Sequence, residues 1–149
     1  MDANLFLRLA EPSDCKLLFD WANDEVTRAN AFSTEPIEWE EHKAWFAGMM
    51  ANPSEIQYIL MQGSEPVGQI RLSICEKAAE AEISYSIAGK YRGSGYGKAI
   101  VSLVMQEASK SFPKVKRLVA RVKPSNEASL HCFYKNGFDK KYICLEYEL

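Results

Sequence analysis

Arg92, Gly93, Ser94, Gly95, Tyr96, Gly97 and Lys98 carry the chemistry most readily read from this chain, a flexible backbone flanked by two cations. Glycine lets an anion approach the main chain closely, amides at a helix start are unpaired donors, and the helix dipole adds about +0.5 charge there. Such a run suits a phosphate or pyrophosphate. Two familiar phosphate loops fail on spacing. A Walker loop needs GxxxxGK followed by Ser or Thr, but Arg92 occupies the first glycine position and Ala99 follows Lys98. A dinucleotide fingerprint needs GxGxxG, and Lys98 stands where its third glycine belongs. Glu82 is a carboxylate a short way upstream, a group type that serves proton transfer.

Around these residues the hydrophobic period changes. Ala81, Ile83, Tyr85 and Ile87 alternate with Glu82, Ser84 and Ser86, which predicts a strand with one apolar and one polar face. Ile100, Leu103, Val104 and Ala108 follow at helical spacing, so the glycines join a strand end to a helix start. Leu5, Leu7 and Leu9 predict a first strand, and Pro12, Ser13 and Asp14 a helix start before Leu17, Leu18 and Trp21. Pro36 precedes a second amphipathic segment carrying Trp39, His42, Phe46 and Met49. Ile56 to Met61 and Val67 to Cys75 read as a hairpin around Gln62, Gly63, Ser64, Glu65 and Pro66. Leu118, Ala120 and Val122 predict a further strand, Pro124 and Ser125 open a last helix, Asn136 and Gly137 close it, and Phe138 to Glu148 read as the final strands. Periodicity alone gives an α/β or α+β domain with a mixed sheet.

The stretch from Arg92 to Gly97 matches Q/RxxGxG/A, and with it the chain resembles the GNAT family of acetyl-CoA-dependent N-acetyltransferases over nearly its whole length. The resemblance implies a single domain over residues 1–149 with a central mixed, mostly antiparallel sheet of about seven strands and about four helices. It implies acetyl-CoA as cosubstrate, no metal, and direct attack of a primary amine on the thioester. By resemblance, Arg92, Gly93, Ser94, Gly95, Tyr96, Gly97 and Lys98 hold the pyrophosphate, and the main chain at Ser86, Ile87 and Ala88 pairs with the pantetheine arm. An amide near Ile87 would meet the thioester oxygen, and Asn126 and Ser129 are assigned to the cofactor. Glu82 takes the place of the base that accepts the amine proton through water. The segment from Asn126 to Phe138 resembles the family's NxxAxxxYxxxGF helix, but Phe133 replaces the tyrosine that protonates the leaving thiolate. Tyr134, one residue and about 100° further round, is one candidate donor; water, Ser129 or another tyrosine are the others. Asn126 also reads as an ordinary helix cap.

The acceptor falls to the first third of the chain. Trp21, Asn23, Asp24, Val26, Thr27 and Arg28, then Ala31 and Phe32, then Glu40, Glu41, His42, Trp45 and Phe46, resemble bacterial acetyltransferases that modify the 4-amino group of nucleotide-linked 4-amino-4,6-dideoxy sugars. On this reading Asn23, Asp24, Arg28 and Phe32 bind the acceptor, with Arg28 pairing a diphosphate and Phe32 or Trp45 packing on a sugar or base. Trp39, Trp45 and Phe46 also fit as core residues. Ribosomal-protein N-terminal acetyltransferases share part of the pattern and supply the alternative acceptor, a protein N-terminus. The missing tyrosine leaves a noncatalytic acetyl-CoA-binding module as a third reading.

Composition agrees. The chain has 149 residues and a formal charge of −2 without basic blocks, which disfavours a nucleic-acid partner. It has no apolar run of spanning length, and its polar start is not a secretory signal; a cytoplasmic location is expected from the reduced cysteines and from where acetyl-CoA is found. Cys15, Cys75, Cys132 and Cys144 form no CxxC pair and read as reduced core thiols, and both histidines read as structural. The last strands, with Cys144, Leu145 and Tyr147, offer an edge for a homodimer.

Overall fold

A computed structural model describes residues 4–149; the first three residues of the polar start lie outside it. The chain runs β1 (Leu5–Leu9), a short 3-10 turn (Pro12–Asp14), α1 (Cys15–Ala22), α2 (Glu25–Asn30), α3 (Trp39–Ala51), β2 (Glu55–Gln62), β3 (Glu65–Cys75), β4 (Glu80–Ile87), a second 3-10 turn (Gly89–Tyr91), α4 (Tyr96–Ser111), β5 (Arg117–Val119) and α5 (Glu127–Lys135). The sheet order is β1-β2-β3-β4-β5, antiparallel through β4 and parallel between β4 and β5. This is the mixed, mostly antiparallel α+β architecture expected.

Two element counts differ from the expectation. Five strands are described rather than about seven, because residues 139–149 form no strand and Leu145 and Tyr147 are exposed. Alternation of apolar residues makes a strand only where a sheet edge and a buried face accept it, and β5 is too short to offer either. The homodimer edge expected there has no strand to supply it. The extra helix is α2; the Asp24 carboxylate caps it by accepting from the Thr27 amide at 3.1 Å.

Each face of the sheet has its own cover. Ile100, Val101, Val104 and Ala108 of α4 pack with Val67, Ile70, Leu72, Ala81, Ile83 and Ile87 on one face. On the other, Leu18 of α1 and Phe46 and Met49 of α3 cover Ile59 and Met61 of β2. That second cover stops short of β3 and β4, whose residues on the same face are Gln69, Arg71 and Ser73 opposite Ser86, Ser84 and Glu82. An uncovered polar strip beside a covered apolar one becomes a cleft floor. Among the described residues no helix is long and apolar enough to cross a membrane.

His42 is structural, as expected: it is buried, its Nε2 lies 2.8 Å from the Cys15 carbonyl, and Phe19, Trp39, Trp45 and Phe46 surround its ring. The thiols are not core groups; Cys75 and Cys144 are exposed, Cys15 and Cys132 half-buried, and all four are free.

The entry into α1 is fixed by Asp14, which is 6% exposed. It accepts from Arg8 at 2.8 and 2.9 Å and from the Glu11 amide at 2.7 Å. The Arg8 hydrogen bonds hold the Asp14 carboxyl below its ordinary value, against the opposing effect of burial. A lowered folded-state pKa contributes stability above the unfolded value of about 3.9, and that contribution is lost as pH falls. Asp14→Asn should therefore cost about 1–3 kcal/mol at neutral pH, and the gap from wild type should narrow below about pH 4. Urea unfolding at both pH values checks this, and an equal gap at the two would place the cost elsewhere.

Candidate active site

The glycine loop has the geometry of an anion cradle. Gly93 and Gly95 take φ of +76° and +87°, left-handed values that disfavour any residue with a Cβ. The Arg92 amide bonds the Gly89 carbonyl at 3.4 Å and the Ala99 amide bonds the Gly95 carbonyl at 3.2 Å, while the amides of Gly93 to Lys98 between them donate to no backbone carbonyl among the described residues. Consecutive free donors at the start of α4 suit a pyrophosphate. Gly97 has a different cause. A Cβ there would lie 2.7 Å from the Cys132 Sγ, so this glycine lets α4 approach α5.

Arg92 is not simply a free cation beside that cradle. Its guanidinium forms an ion pair with Asp24 and reaches the Thr27 hydroxyl at 3.2 Å. Chiefly through the Arg92 hydrogen bond, the Asp24 carboxyl is held below its ordinary value. Lys98 is exposed and has no ion-pair partner among the described residues.

The edge of β4 opens beside the loop. β5 pairs with Glu80, Ala81 and Glu82, and the two parallel strands then part. A hydrogen bond of 2.9 Å from the Ala88 amide to the Val67 carbonyl fixes the alternation along β3 and β4. In an antiparallel ladder successive residues turn their main-chain groups to opposite sides. Ser84, Ser86 and Ala88 thus bond to β3, whereas Ile83, Tyr85 and Ile87 turn theirs to the open edge. Of the three residues assigned to the pantetheine, Ile87 fits, and the main chains of Ser86 and Ala88 are already engaged.

Cradle and open edge line one cleft of about 1020 Å³. Arg92, Gly93, Gly95, Tyr96, Gly97, Lys98, Ser86, Ile87, Asn126 and Ser129 border it; Ser94 and Ala88 do not. Asn126 caps α5, accepting from the Ser129 amide at 3.2 Å, so its amide nitrogen is the part left for a ligand. Glu82 borders the cleft with its carboxylate 3.0 Å from Arg121 Nε.

Tyr134 is misplaced for proton donation: it is 48% exposed and outside the cleft lining, on the far side of α5. Phe133 is buried and meets Tyr85 edge-on at 5.6 Å. The Tyr85 hydroxyl lies among Ser129, Cys132 and Gly97, 3.6 Å from where a Gly97 Cβ would stand. Burial raises the Tyr85 pKa and the Ser129 hydrogen bond opposes it, so the phenol is protonated at neutral pH. Sequence reasoning left "another tyrosine" open; β4 supplies one.

The acceptor residues also need correction. Asn23 straps the Ile37 main chain at 2.8 and 2.9 Å, and Asp24 is held by Arg92 and the α2 cap; neither lines the cleft. Arg28 borders it but donates to the carbonyls of Ala22, Ser33 and Glu35 at 2.6, 3.0 and 3.3 Å. These three side chains build the loop. Phe32 remains available, 64% exposed and 5.3 Å from the Arg121 guanidinium. The floor comes from Gln57, Gln69 and Arg71, which the sequence did not single out, and Trp45, which it did, stands at the wall. Gln57 donates to Gln69 at 2.8 Å and Gln69 to Ser86 at 3.1 Å. The available signal was the alternation of Gln69, Arg71 and Ser73 with apolar residues along β3. Among the described residues no group of His, Cys, Asp or Glu side chains converges as a metal site.

A family model described as an acetyltransferase (GNAT) domain matches residues 4–139. No curated protein matches the chain. Among solved structures, a spermidine N-acetyltransferase from Vibrio cholerae, in complex with CoA and spermine, is 19% identical and superposes with a TM-score of 0.84 over 95% of this chain and 84% of that one. A domain from Methanocaldococcus jannaschii is 25% identical, with a TM-score of 0.81 over 94% of this chain and 91% of the other. An aminoglycoside acetyltransferase in complex with coenzyme A is 20% identical, with a TM-score of 0.79 over 92% and 85%.

The contact between Gly97 and Cys132 is directly testable. Gly97→Ala should destabilise by about 1–3 kcal/mol through overpacking, and Cys132→Ala in the same chain should recover most of the loss. Thermal unfolding of the two variants checks it; no recovery in the double variant would mean that the contact is not the cause.

Proposed function

The chain belongs to the GNAT acetyltransferase family, and from that premise we propose that it moves the acetyl group of acetyl-CoA onto the 4-amino group of a nucleotide-linked amino-dideoxy sugar. Acetyl-CoA is the cosubstrate of this N-acetyltransferase. The observation that carries the proposal is the junction of two features, the unpaired amides of Gly93 to Lys98 and the β4 edge left open beyond Glu82. The first receives a pyrophosphate and the second receives an extended, amide-bearing arm as a substitute strand.

Attack and departure then divide between the two faces of β4. The amine approaches over the polar face, where the Glu82 carboxylate takes its proton through water. The Ile87 amide, aimed at the open edge, donates to the thioester oxygen as negative charge develops there. As the carbon–sulfur bond breaks, the thiolate is met by the Tyr85 hydroxyl on the opposite face, which supplies the proton that Phe133 cannot. Glu82 lies under Arg121, which orients the carboxylate and is itself covered by Phe32.

Charge favours an anionic acceptor. Apart from Arg92 and Lys98 beside the glycine loop, the cleft is bordered by the cations Arg28, Arg71 and Arg121, against the anions Glu41 and Glu82. A polycation would meet like charge there, whereas a nucleotide-linked sugar brings the opposite sign. Gln57, Gln69, Ser84 and Ser86 offer neutral donors and acceptors for sugar hydroxyls. Reaction in the cytoplasm, where acetyl-CoA is available, completes the proposal.

Thiol release from acetyl-CoA with a UDP-linked 4-amino-4,6-dideoxy sugar as sole acceptor should be saturable; background release would point instead to a peptide amine. Glu82→Gln should lower kcat about 10²-fold with acetyl-CoA affinity unchanged, and Tyr85→Phe by a comparable factor. Tyr134→Phe should behave as wild type. Full activity in the Tyr85 variant would return the thiolate proton to water or Ser129.

A further inference from the structure

Arg71 stands on β3 between Gln57 of β2 and Ser84 of β4, on the face that forms the cleft floor. Its side chain is 25% exposed, and its guanidinium carbon lies 5.0 Å from the centre of the Trp45 ring. The Nε is buried without a hydrogen-bond acceptor. The nearest carboxylate oxygen, of Glu55, stands 3.7 Å away, beyond hydrogen-bond reach, and already accepts from Ser73 at 2.6 Å. Arg71 makes no hydrogen bond among the described residues.

A buried guanidinium nitrogen without an acceptor is costly, and burial accordingly pulls the Arg71 pKa down, with Glu55 and Glu82 opposing. Glu82 is itself engaged by Arg121. What remains is a planar fork of donors beside an indole, at the border of a cleft. Arg28, the arginine that the sequence offered for this purpose, is occupied by backbone carbonyls.

From this geometry we infer that Arg71 and Trp45 form the acceptor's anion subsite, with Arg71 receiving a phosphate of the nucleotide through paired hydrogen bonds and Trp45 packing beside it. The arginine fork matches two oxygens of one phosphate, and Trp45, 43% exposed, retains a free face for a sugar or base. This inference rests on the proposed acceptor for its substrate class. The subsite selects among amines, because an acceptor lacking the anion leaves the guanidinium without a hydrogen-bond acceptor.

The test uses UDP as probe, titrated calorimetrically into the full chain saturated with CoA so that the glycine loop is filled. UDP should bind the wild-type complex. Arg71→Gln should weaken that binding at least about tenfold and Arg71→Lys less, since a lysine keeps charge without the fork; CoA affinity should stay the same in all three. The KM for the UDP-linked amine should rise by a similar factor. Equal UDP affinity in wild type and Arg71→Gln, or no UDP binding to the wild-type complex, would overturn the inference. Should Arg71→Gln fail to fold, the comparison of wild type with Arg71→Lys decides. UDP binding without acetyl transfer to the UDP-linked amine would remove the proposed acceptor and leave the subsite standing. Transfer with an unchanged KM in the Arg71 variants would do the reverse.

Discussion

The parting of β4 from β5 is the constraint on which the rest of the structure depends. Parallel pairing holds at Glu80, Ala81 and Glu82 and then stops. A buried sheet edge normally demands partners for its amides and carbonyls, so ending the ladder inside the domain leaves main-chain groups of Ile83, Tyr85 and Ile87 without neighbours of their own. These groups border the cleft rather than the core, while the side chains of the same residues pack against α4. The polar alternates, Glu82, Ser84 and Ser86, face the other way. A single break in pairing thus places an open main-chain edge, a carboxylate and a phenol around one gap.

The helical cover reinforces that asymmetry. α1 and α3 seal the Ile59 and Met61 side of the sheet with Leu18, Phe46 and Met49 but leave the β3 and β4 side uncovered. Had α3 extended its apolar face across β3, Arg71 would lie in a closed core and its charge would be untenable. Instead Trp45, on the margin of α3, leans over the guanidinium, and the boundary between core and cleft runs through that contact.

What could be read in advance was whatever is encoded locally. The switch from period two to helical spacing around Gly93 to Gly97 marks both the strand end and the helix start, and the left-handed φ of Gly93 and Gly95 explains why glycine is needed there. The reason for Gly97 was hidden, since Cys132 reaches it from α5, far along the chain. Polar residues in the loop after α1 look the same whether they face a ligand or hold the loop together. Asn23 and Arg28 do the second because a loop without ladder partners must satisfy its carbonyls and amides some other way. The alternating tail around Ile143, Leu145 and Tyr147 shows the converse error, a strand pattern with no edge to join. Arg71 escaped notice because one arginine in a strand says nothing of which helix will stop short of it.

The contact between Arg92 and Asp24 joins segments far apart in sequence, and it sets up a thermodynamic linkage. Asp24 caps α2, while Arg92 begins the glycine loop proposed to receive the cosubstrate. An anion that recruits Arg92 competes with Asp24, and so changes how firmly α2 is held. Coupling of this kind is reciprocal: whatever free energy the first ligand adds to or takes from that helix, the second must return in equal measure to the first. The two sides of the cleft are thereby joined through one shared guanidinium.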